Sequence, residues 1–406
     1  MGDVKNKRYT GFKSFQYLEP GSDYRVFEPA KEIARVEPYQ VPLSEPEEKR
    51  VHALYKECIV IALHDHALTL PADLTHLSEW NREGRYPTAY EGLSTSCLDA
   101  IFDNLWAGFA TLTSKGGWRF EDVVGDLGMR LCDIAHQEFV FRADRASDIL
   151  KAHQEGKVAF IPGIESCTQL ENELDRIDIL YGLGARMMGL TYNESNMLGS
   201  GLKEETDGGL TYFGRQAVKR MNRLGMAIDV SHSGEKTSHD CIQASREPVF
   251  ISHAGAKGLW NSRRMKSDEV IKACAERGGV IGIEASPHTT YSKKHPQMDI
   301  DTVMDHFEYC VDLVGIDNIA FGLDSLYGDH VGLHSFWGGG RTMSEVTIEM
   351  NTHEEPIKVE YVKGMENPTE GYNNIVRWLV RHRYSDEEIM KVAGGNILRV
   401  LREVWR

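Results

Sequence analysis

The stretch GLTYFGRQAVKRMNRLGMAIDVSHS (209–233) contains one complete unit of the pattern that decides the fold. Residues 211–225 predict an amphipathic helix that begins at Thr211, a good N-cap residue, and ends at Gly225. The apolar run MAIDVSH (226–232) then predicts a buried strand. A helix followed at once by a buried strand is the repeating unit of a parallel sheet that is covered by helices.

The same unit recurs along the chain of 406 residues. From Pro46 onward, strand-like runs alternate with amphipathic stretches, and a second capped helix begins after Ser267 and ends at Gly278. The eight runs are CIVIALH (58–64), LWAGFATLT (105–113), VAFIPGI (158–164), ARMMGLTY (185–192), MAIDVSH (226–232), PVFISH (248–253), GVIGIEA (279–285) and NIAFGLD (318–324). Eight strands with intervening helices favour an α/β fold of the closed (β/α)8 barrel type. An open doubly wound sheet fits less well, because neither GxGxxG nor GxxxxGK[ST] follows the first run.

Two segments fall outside this alternation. Residues 1–45 are rich in Pro, Tyr and charge and predict an extended N-terminal arm, which is a candidate dimer contact. Residues 46–406 then form the barrel domain. A long irregular insertion at about 325–370 is typical of a lid or a partner contact.

The composition excludes several classes of protein. The chain carries 46 Lys+Arg against 61 Asp+Glu, a formal charge of −15, and has no basic cluster that would bind nucleic acid. It has no run of about 20 apolar residues that would span a membrane. Seven scattered cysteines without C-x-x-C, and an N-terminus without a signal peptide, predict a cytoplasmic protein without a disulfide framework. A small-molecule substrate is the expected partner.

Side chains that bind metals recur at the ends of five of the eight runs. The carboxyl ends of barrel strands carry the active site, so these side chains are expected to meet there. Imidazole and carboxylate groups are ligands for zinc and similar divalent ions. A carboxylate bridging two such ions would let them share a nucleophilic hydroxide. The residues are His64 and His66 in the first run and just after it, Glu165 after the third, His232 in the fifth, His253 in the sixth and Asp324 in the eighth.

Several longer motifs resemble one known family. GIES, LYGLGARMMGLTYNESN, GLTYFGRQAVKRMNRLGMAIDVSHS, PVFISHAGAKGLWNSRRMKSDEVI, GGVIGI, IAFGLD and GGNILRVLREVW are similar, in order and spacing, to the membrane dipeptidase (renal dipeptidase) family of the amidohydrolase superfamily. The resemblance runs from about His64 to Arg406 and excludes the long insertion.

The resemblance implies roles for the residues at the strand ends. His64 and residue 66 would bind a first metal ion and His232 and His253 a second, with Glu165 bridging them. Asp324 would move the proton between the bridging hydroxide and the leaving nitrogen. Arg264 would hold the substrate's carboxylate, for which a guanidinium fork is suited. Its alternative role is a surface ion pair with Asp268.

Two positions depart from the family pattern. The first motif usually reads H-x-D, but this chain has His66, which removes one negative charge from the site. The family has a histidine after Leu-Thr that contacts the substrate near the scissile carbonyl, and this chain has Tyr192. A tyrosine still donates a hydrogen bond to a developing oxyanion but is not a cation at neutral pH.

The resulting hypothesis is a binuclear metal-dependent hydrolase that cleaves an amide bond in a small dipeptide or dipeptide-like carboxylate by attack of a metal-bridging hydroxide. Zn²⁺ is the first candidate for the two ions, with Mn²⁺, Fe²⁺ or Co²⁺ as alternatives. A hydrolase of a non-peptide amide, carbamate, ester or lactone on the same scaffold is the second hypothesis. A non-catalytic, metal-storing scaffold is the third.

Overall fold

Nine parallel strands form one sheet in the computed structural model, which describes residues 5, 7–105, 119–287, 289–337 and 359–406. Eight strands follow the order β1-β2-β4-β5-β6-β7-β8-β9, and β3 pairs with β4 outside this path. The strands are β1 (Ile61–Asp65), β2 (Ala100–Leu105), β3 (Val140–Arg142), β4 (Val158–Ile164), β5 (Met187–Gly189), β6 (Ala227–Asp229), β7 (Phe250–Ala254), β8 (Val280–Ile283) and β9 (Ile319–Phe321).

The last strand returns to the first and closes the sheet. The backbone N–H of Asp324, just after β9, donates to the carbonyl of His64 in β1 at 3.0 Å. The N–H of His66 donates to the carbonyl of Ser325 at 2.9 Å. The predicted (β/α)8 barrel is therefore confirmed.

Seven of the eight predicted runs contain a strand of the barrel. The second run was placed too late, because β2 begins at Ala100 and overlaps the predicted stretch 105–113 only at Leu105. Residues 106–113 lie outside the described residues. The short strand β3 was not predicted.

Helices follow most strands, and two predicted helices are found with their predicted N-caps. Thr211 accepts a hydrogen bond from the N–H of Gly214 at the start of α7 (Tyr212–Leu224), and Gly225 ends this helix at φ +81°. Ser267 caps α9 (Asp268–Glu276) in the same way, and this helix ends two residues before the predicted Gly278. The described helices are α1 (Glu45–Glu57), α2 (Leu77–Glu83), α3 (Tyr90–Ser94), α4 (Phe120–Ile134), α5 (Ala146–Glu155), α6 (Asp175–Gly182), α7 (Tyr212–Leu224), α8 (Glu235–Ala244), α9 (Asp268–Glu276), α10 (Ile300–Val314), α11 (His330–Trp337), α12 (Pro368–Arg381), α13 (Asp386–Met390) and α14 (Asn396–Val404).

The strands contribute to two apolar cores because successive side chains point to opposite faces. Residues such as Ile61, Phe102 and Phe250 belong to a core inside the barrel, and their neighbours along each strand pack against the helices. The last helix, α14, joins the interior core, and the ring centroids of Phe102 and Trp405 lie 6.0 Å apart. The α14 segment therefore covers one end of the barrel.

The first described residues of the N-terminal segment lie at the amino ends of the strands. The Lys5 ammonium donates to the Cys58 carbonyl at 2.8 Å and pairs with Asp99 at 2.5 Å, and both partners precede a strand. The N–H of Arg8 donates to the carbonyl of Gly156 at 2.8 Å, just before β4. These contacts tie the start of the chain to the end of the barrel opposite the carboxyl ends of the strands.

The predicted insertion at 325–370 begins beside β9 and contains α11. Residues 338–358, which include Gly338, Gly339 and Gly340, lie outside the described residues. The roles predicted for this insertion, and the division of the chain into an arm and a barrel domain, stay predictions.

All seven cysteines are free thiols, and six of them are buried. Cys132 is the exposed one. In the part of the chain that the structure describes, no helix has the length and apolar character needed to cross a bilayer.

Candidate metal centre

The barrel brings all six predicted metal-site residues to one rim. Each lies near the carboxyl end of a strand or within a few residues after it. They share one rim because the carboxyl ends of parallel strands point the same way. One ligand atom from each of four residues lies within 4.8 Å of the others. These four residues are His64, Glu165, His253 and Asp324.

Two carboxylates link the histidines into one cluster. The Glu165 Oε1 atom lies 3.1 Å from the Nε2 of His232, 3.5 Å from that of His253 and 3.8 Å from that of His64. The Asp324 Oδ1 atom lies 3.2 Å from the Nε2 of His66 and 3.5 Å from that of His64. Glu165 therefore contacts three imidazoles and Asp324 contacts two, with His64 shared between them.

All four imidazoles turn the same ring nitrogen toward the cluster. Each Nδ1 atom lies beside an oxygen outside the cluster, and this contact directs Nε2 toward a metal. The outer partners are the Ser252 hydroxyl for His64 (3.3 Å) and His253 (2.7 Å), the Asn104 carbonyl for His66 (3.1 Å) and the Asn193 amide oxygen for His232 (3.4 Å).

The donor set fits a divalent cation. The Nε2 of His64 is buried without a hydrogen-bond partner in the described structure. The Nε2 atoms of His232 and His253 lie 3.1 Å apart, and both carry a lone pair when Nδ1 holds the proton. Lone pairs that converge in a buried site repel one another unless a cation lies between them. Imidazole and carboxylate groups are the ligands that zinc, manganese and iron accept.

Burial keeps His232 and His253 in the neutral form that binds metals. Desolvation lowers the pKa of His232 and of His253 well below the usual value, and the nearby Arg264 charge contributes in the same direction. Desolvation also raises the pKa of Glu165 well above its usual value, with a further contribution from the negative charge of Asp324. Burial acts in the same sense on Asp324, but its contacts with the imidazoles of His64 and His66 outweigh it and hold its pKa low.

A buried carboxylate, Asp229, organises two of the histidine-bearing strands. It ends β6, and its oxygens accept hydrogen bonds from the hydroxyls of Ser231 and Ser252, each at 2.6 Å. Because Ser252 donates its only proton to Asp229, it accepts from the Nδ1–H groups of His64 and His253. The sequence analysis missed Asp229 and Ser252, although the repeated Ser-His pairs at 231–232 and 252–253 were a signal.

Asp324 adopts an unusual backbone conformation. Its backbone angle φ is +55°, a value that residues other than glycine seldom adopt. The side chain of Asp65, which points away from the cluster, accepts hydrogen bonds from the N–H and hydroxyl of Ser325 at 2.9 and 2.7 Å. The Tyr372 hydroxyl donates to the same carboxylate at 3.0 Å. Asp65 thus fixes the backbone next to Asp324.

The remaining predicted residues, Tyr192 and Arg264, also lie at this rim. The ring of Tyr192 stacks on that of His232 with centroids 4.2 Å apart. Arg264 is buried, and its Nη1 donates to the carbonyl of His253 at 2.9 Å. Its ion-pair partner is Glu284, and not Asp268 as in the alternative drawn from the sequence; Asp268 accepts hydrogen bonds from a tyrosine hydroxyl.

A closed parallel barrel with four imidazoles and two carboxylates at its carboxyl rim has the architecture of the metal-dependent hydrolases. Residues 48–337 and 358–406 match the sequence model of one family within this class, described as membrane dipeptidase, peptidase family M19. The chain belongs to this family.

Individual relatives agree with this assignment. Dipeptidase tcpJ of Claviceps purpurea (strain 20.1) is 29% identical over 281 residues, which are 69% of this chain and 58% of that protein. The match thus spans less than two thirds of this curated relative. An amidohydrolase from Pseudomonas aeruginosa superposes with a TM-score of 0.67 at 27% identity, covering 87% of this chain and 98% of that one.

A more distant structure supports the fold alone. A metallopeptidase from Rhodobacter sphaeroides, solved with a phosphinate mimic of the dipeptide L-Ala-D-Ala, has a TM-score of 0.64 at 19% identity. The alignment covers 86% of this chain and all of that one.

Proposed function

We propose that the protein is a metal-dependent hydrolase that cleaves the amide bond of a small, dipeptide-like substrate. The observation that carries the proposal is the convergence of four imidazole Nε2 atoms on Glu165 and Asp324 at the carboxyl rim of the barrel. Membership of the membrane dipeptidase family, and the dipeptidase name of a relative 29% identical, support a peptide-like substrate.

The cluster would hold two divalent ions, with Zn²⁺ as the first candidate and Mn²⁺, Fe²⁺ or Co²⁺ as alternatives. His64 and His66 would bind one ion, His232 and His253 the other, and Glu165 both. When bound, such ions polarise a carbonyl and lower the pKa of water toward neutrality.

Asp324 is the group proposed to move the proton. Its carboxylate lies against His64 and His66, and these contacts keep its pKa low, so that it is ionised and able to accept a proton. It would take the proton that the attacking water loses and deliver it to the leaving nitrogen. The new C–O bond forms first, the C–N bond breaks once its nitrogen has received the proton, and the products are an acid and an amine.

Tyr192 would stabilise the oxygen on which negative charge develops. Burial raises the pKa of its phenol well above the usual value, with further contributions from the charges of Glu165 and Asp324. The hydroxyl therefore keeps its proton at neutral pH and is able to donate a hydrogen bond.

The experiment that tests the function is a substrate comparison on the metal-loaded protein. Dipeptides with free and with blocked carboxyl ends are tested beside simple amides, carbamates, esters and lactones. We expect hydrolysis of dipeptide amide bonds. Activity confined to esters or lactones would instead support the second hypothesis, and hydrolysis of nothing in the panel would favour the metal-storing scaffold.

The role of Asp324 is tested by Asp324→Asn. Because Asn has the same shape but cannot accept the proton, we expect kcat to fall about 10³-fold while metal content stays near two ions per chain. Metal content is measured by elemental analysis, and Asp73→Asn, at an exposed surface position, is the control. Undiminished turnover in Asp324→Asn would remove Asp324 from the reaction.

We further propose that the protein acts in the cytoplasm on a small molecule, without nucleic-acid or membrane partners. The net charge of −15 and the six buried free thiols support this proposal. The homodimer predicted through the arm stays a prediction.

A further inference from the structure

The guanidinium that the resemblance assigns to the substrate's carboxylate already has a carboxylate partner. The Arg264 side chain is 3% exposed and forms an ion pair with Glu284, which follows β8. Its other terminal nitrogen, Nη1, donates to the carbonyl of His253. Each terminal nitrogen of Arg264 thus already has a partner within the protein, and the charge of the guanidinium is balanced by that of Glu284.

Glu284 is held in place on its other side. Its Oε1 atom accepts hydrogen bonds from the hydroxyls of Thr289 at 2.9 Å and Thr290 at 3.1 Å. Its backbone N–H donates to the carbonyl of Ala254, at the end of the strand that carries His253. The side chain is fully buried, so water does not compete for Arg264. Desolvation raises the pKa of Glu284, and the adjacent Arg264 charge opposes that rise.

The ion pair belongs to the same rim as the candidate metal centre. Glu284 follows β8, which lies between the strand of His253 and the strand that leads to Asp324. Arg264 contacts this rim directly, since its Nη1 donates to the backbone carbonyl of His253 at 2.9 Å. A substrate held at the metal centre would therefore meet a nearly neutral ion pair rather than a free cation.

We propose that Glu284 is a specificity-determining residue that favours substrates whose end near Arg264 is uncharged, such as a carboxamide, an ester or a lactam, over substrates with a free carboxylate there. A carboxylate at this place would lie against the charge of Glu284, and bringing like charges together in a buried site is costly. A neutral amide is able to bind both members of the pair without this repulsion. The inference rests on the proposed function and narrows its substrate class.

The test compares two substrates that differ only in this group. Alanylalanine and alanylalaninamide are hydrolysed at the same bond, and the leaving amine is alanine or alaninamide. We expect the metal-loaded wild-type protein to show a kcat/KM about tenfold or more higher for the amide. In Glu284→Gln, which keeps the size of the side chain and frees the Arg264 charge, the ratio should shift toward the carboxylate by about tenfold or more, mainly through KM.

The matched control is Glu366→Gln. Glu366 also pairs with an arginine, Arg35, at 2.5 Å, but precedes α12 and is not part of the cluster. The ratio of the two substrates should not change in this variant. Thermal unfolding of both variants checks that each is folded, and the wild-type ratio decides the proposal if Glu284→Gln does not fold.

Product binding separates failure of this inference from failure of the proposed function. Calorimetric titration with alanine and with alaninamide measures the same preference without any turnover. If neither dipeptide is hydrolysed but the wild-type protein binds alaninamide more tightly and Glu284→Gln reverses the preference, the proposed function fails and the inference stands. A wild-type preference for the carboxylate, or a ratio unchanged in folded Glu284→Gln, would overturn the inference.

Discussion

At the scale of single residues, one hydroxyl connects three strands of the site. Ser252 contacts the Nδ1 atoms of His64 in β1 and His253 in β7, and donates its own proton to Asp229 in β6. Hydrogen bonds of this kind fix the tautomer and orientation of a metal-binding imidazole. Ser252 therefore orients one histidine from each of the two proposed metal sites.

Ser252→Ala should weaken metal binding without unfolding the barrel. Loss of the hydroxyl leaves two imidazoles without their outer partner, and changes of this kind reduce metal affinity about 10- to 100-fold. The affinity is measured by titration of the metal-free protein with Zn²⁺ or Mn²⁺. Ser96→Ala is the control, since Ser96 is equally buried and bonds to the Leu93 carbonyl ahead of β2. Equal affinities in the two variants would contradict the role of Ser252.

The strand-end histidines and carboxylates were predictable because each carries a local signal, namely its place after an apolar run. The roles of Ser252, Asp229 and Glu284 were harder to predict, because each depends on partners from other parts of the chain. Glu284 follows an apolar run in the same way as Glu165, but its neighbour Arg264 comes from a loop twenty residues earlier. Only the folded barrel shows that these two charges meet.

At the scale of elements, the short strand β5 supports the metal centre without supplying a ligand. A Cβ atom on Gly189, its last residue, would lie 2.1 Å from the backbone oxygen of Glu165 and 2.8 Å from its carbonyl carbon. Moving the backbone of a barrel strand would disturb its close packing and destabilise the protein. The absence of a side chain at Gly189 therefore allows the backbone of Glu165 to approach closely.

Gly189→Ala should displace Glu165 and destabilise the protein by about 2 kcal/mol. Urea unfolding measures the free energy, and metal content after purification should fall below that of the wild type. Gly128→Ala is a matched control, because Gly128 lies in α4 and a Cβ atom added there would meet no other atom within 4 Å. That variant should gain about 0.5 kcal/mol, since alanine is the better helix former. Equal stability of the two variants would contradict the steric argument.

Most elements could be predicted because their ends carry capping residues, as Thr211 and Ser267 do. The strand β2 was misplaced because Asp103 and Asn104 interrupt its apolar sequence. Both are fully buried in the structure, where Asp103 pairs with Arg130 of α4. A polar residue with a distant partner looks like a strand end when only its neighbours in sequence are known.

At the scale of the whole molecule, the two ends of the barrel have different tasks. The carboxyl rim carries the candidate metal centre. The amino end is covered by α14 and by the start of the chain, which is anchored through the ion pair of Lys5 with Asp99. The contacts of the start of the chain with this end of the barrel were not predictable. The arm has no periodicity, and the partners of Lys5 and Lys7 lie about 50 to 150 residues away.

Asp99→Asn should destabilise the protein by about 2 to 3 kcal/mol near neutral pH. Burial of Asp99 raises its pKa, but the charge of Lys5 and a hydrogen bond with His153 outweigh this and lower the pKa to about 2. The pKa of Asp99 is thus lower in the folded state than in the unfolded state, where an aspartate titrates at ~3.9. The stabilisation is complete above the unfolded pKa and is lost as the pH falls through the folded pKa.

Unfolding free energies of wild type and variant are compared from pH 7 down to pH 2. The difference between them should stay constant down to about pH 5 and shrink below it. Asp317→Asn, at an exposed residue paired with Lys391, should show a difference of about 0.5 kcal/mol or less at every pH. A difference for Asp99→Asn that does not change with pH would show that the stabilisation is not electrostatic.

The left-handed backbone at Asp324 has a consequence for the choice of residue at this position. Glycine adopts a positive φ at lower cost than aspartate because it has no Cβ atom, but glycine would remove the carboxylate from the rim. Asp65 from the neighbouring strand holds the backbone beside Asp324, so the carboxylate is kept in place at a cost in backbone strain. Stability and activity therefore place opposite demands on this one position.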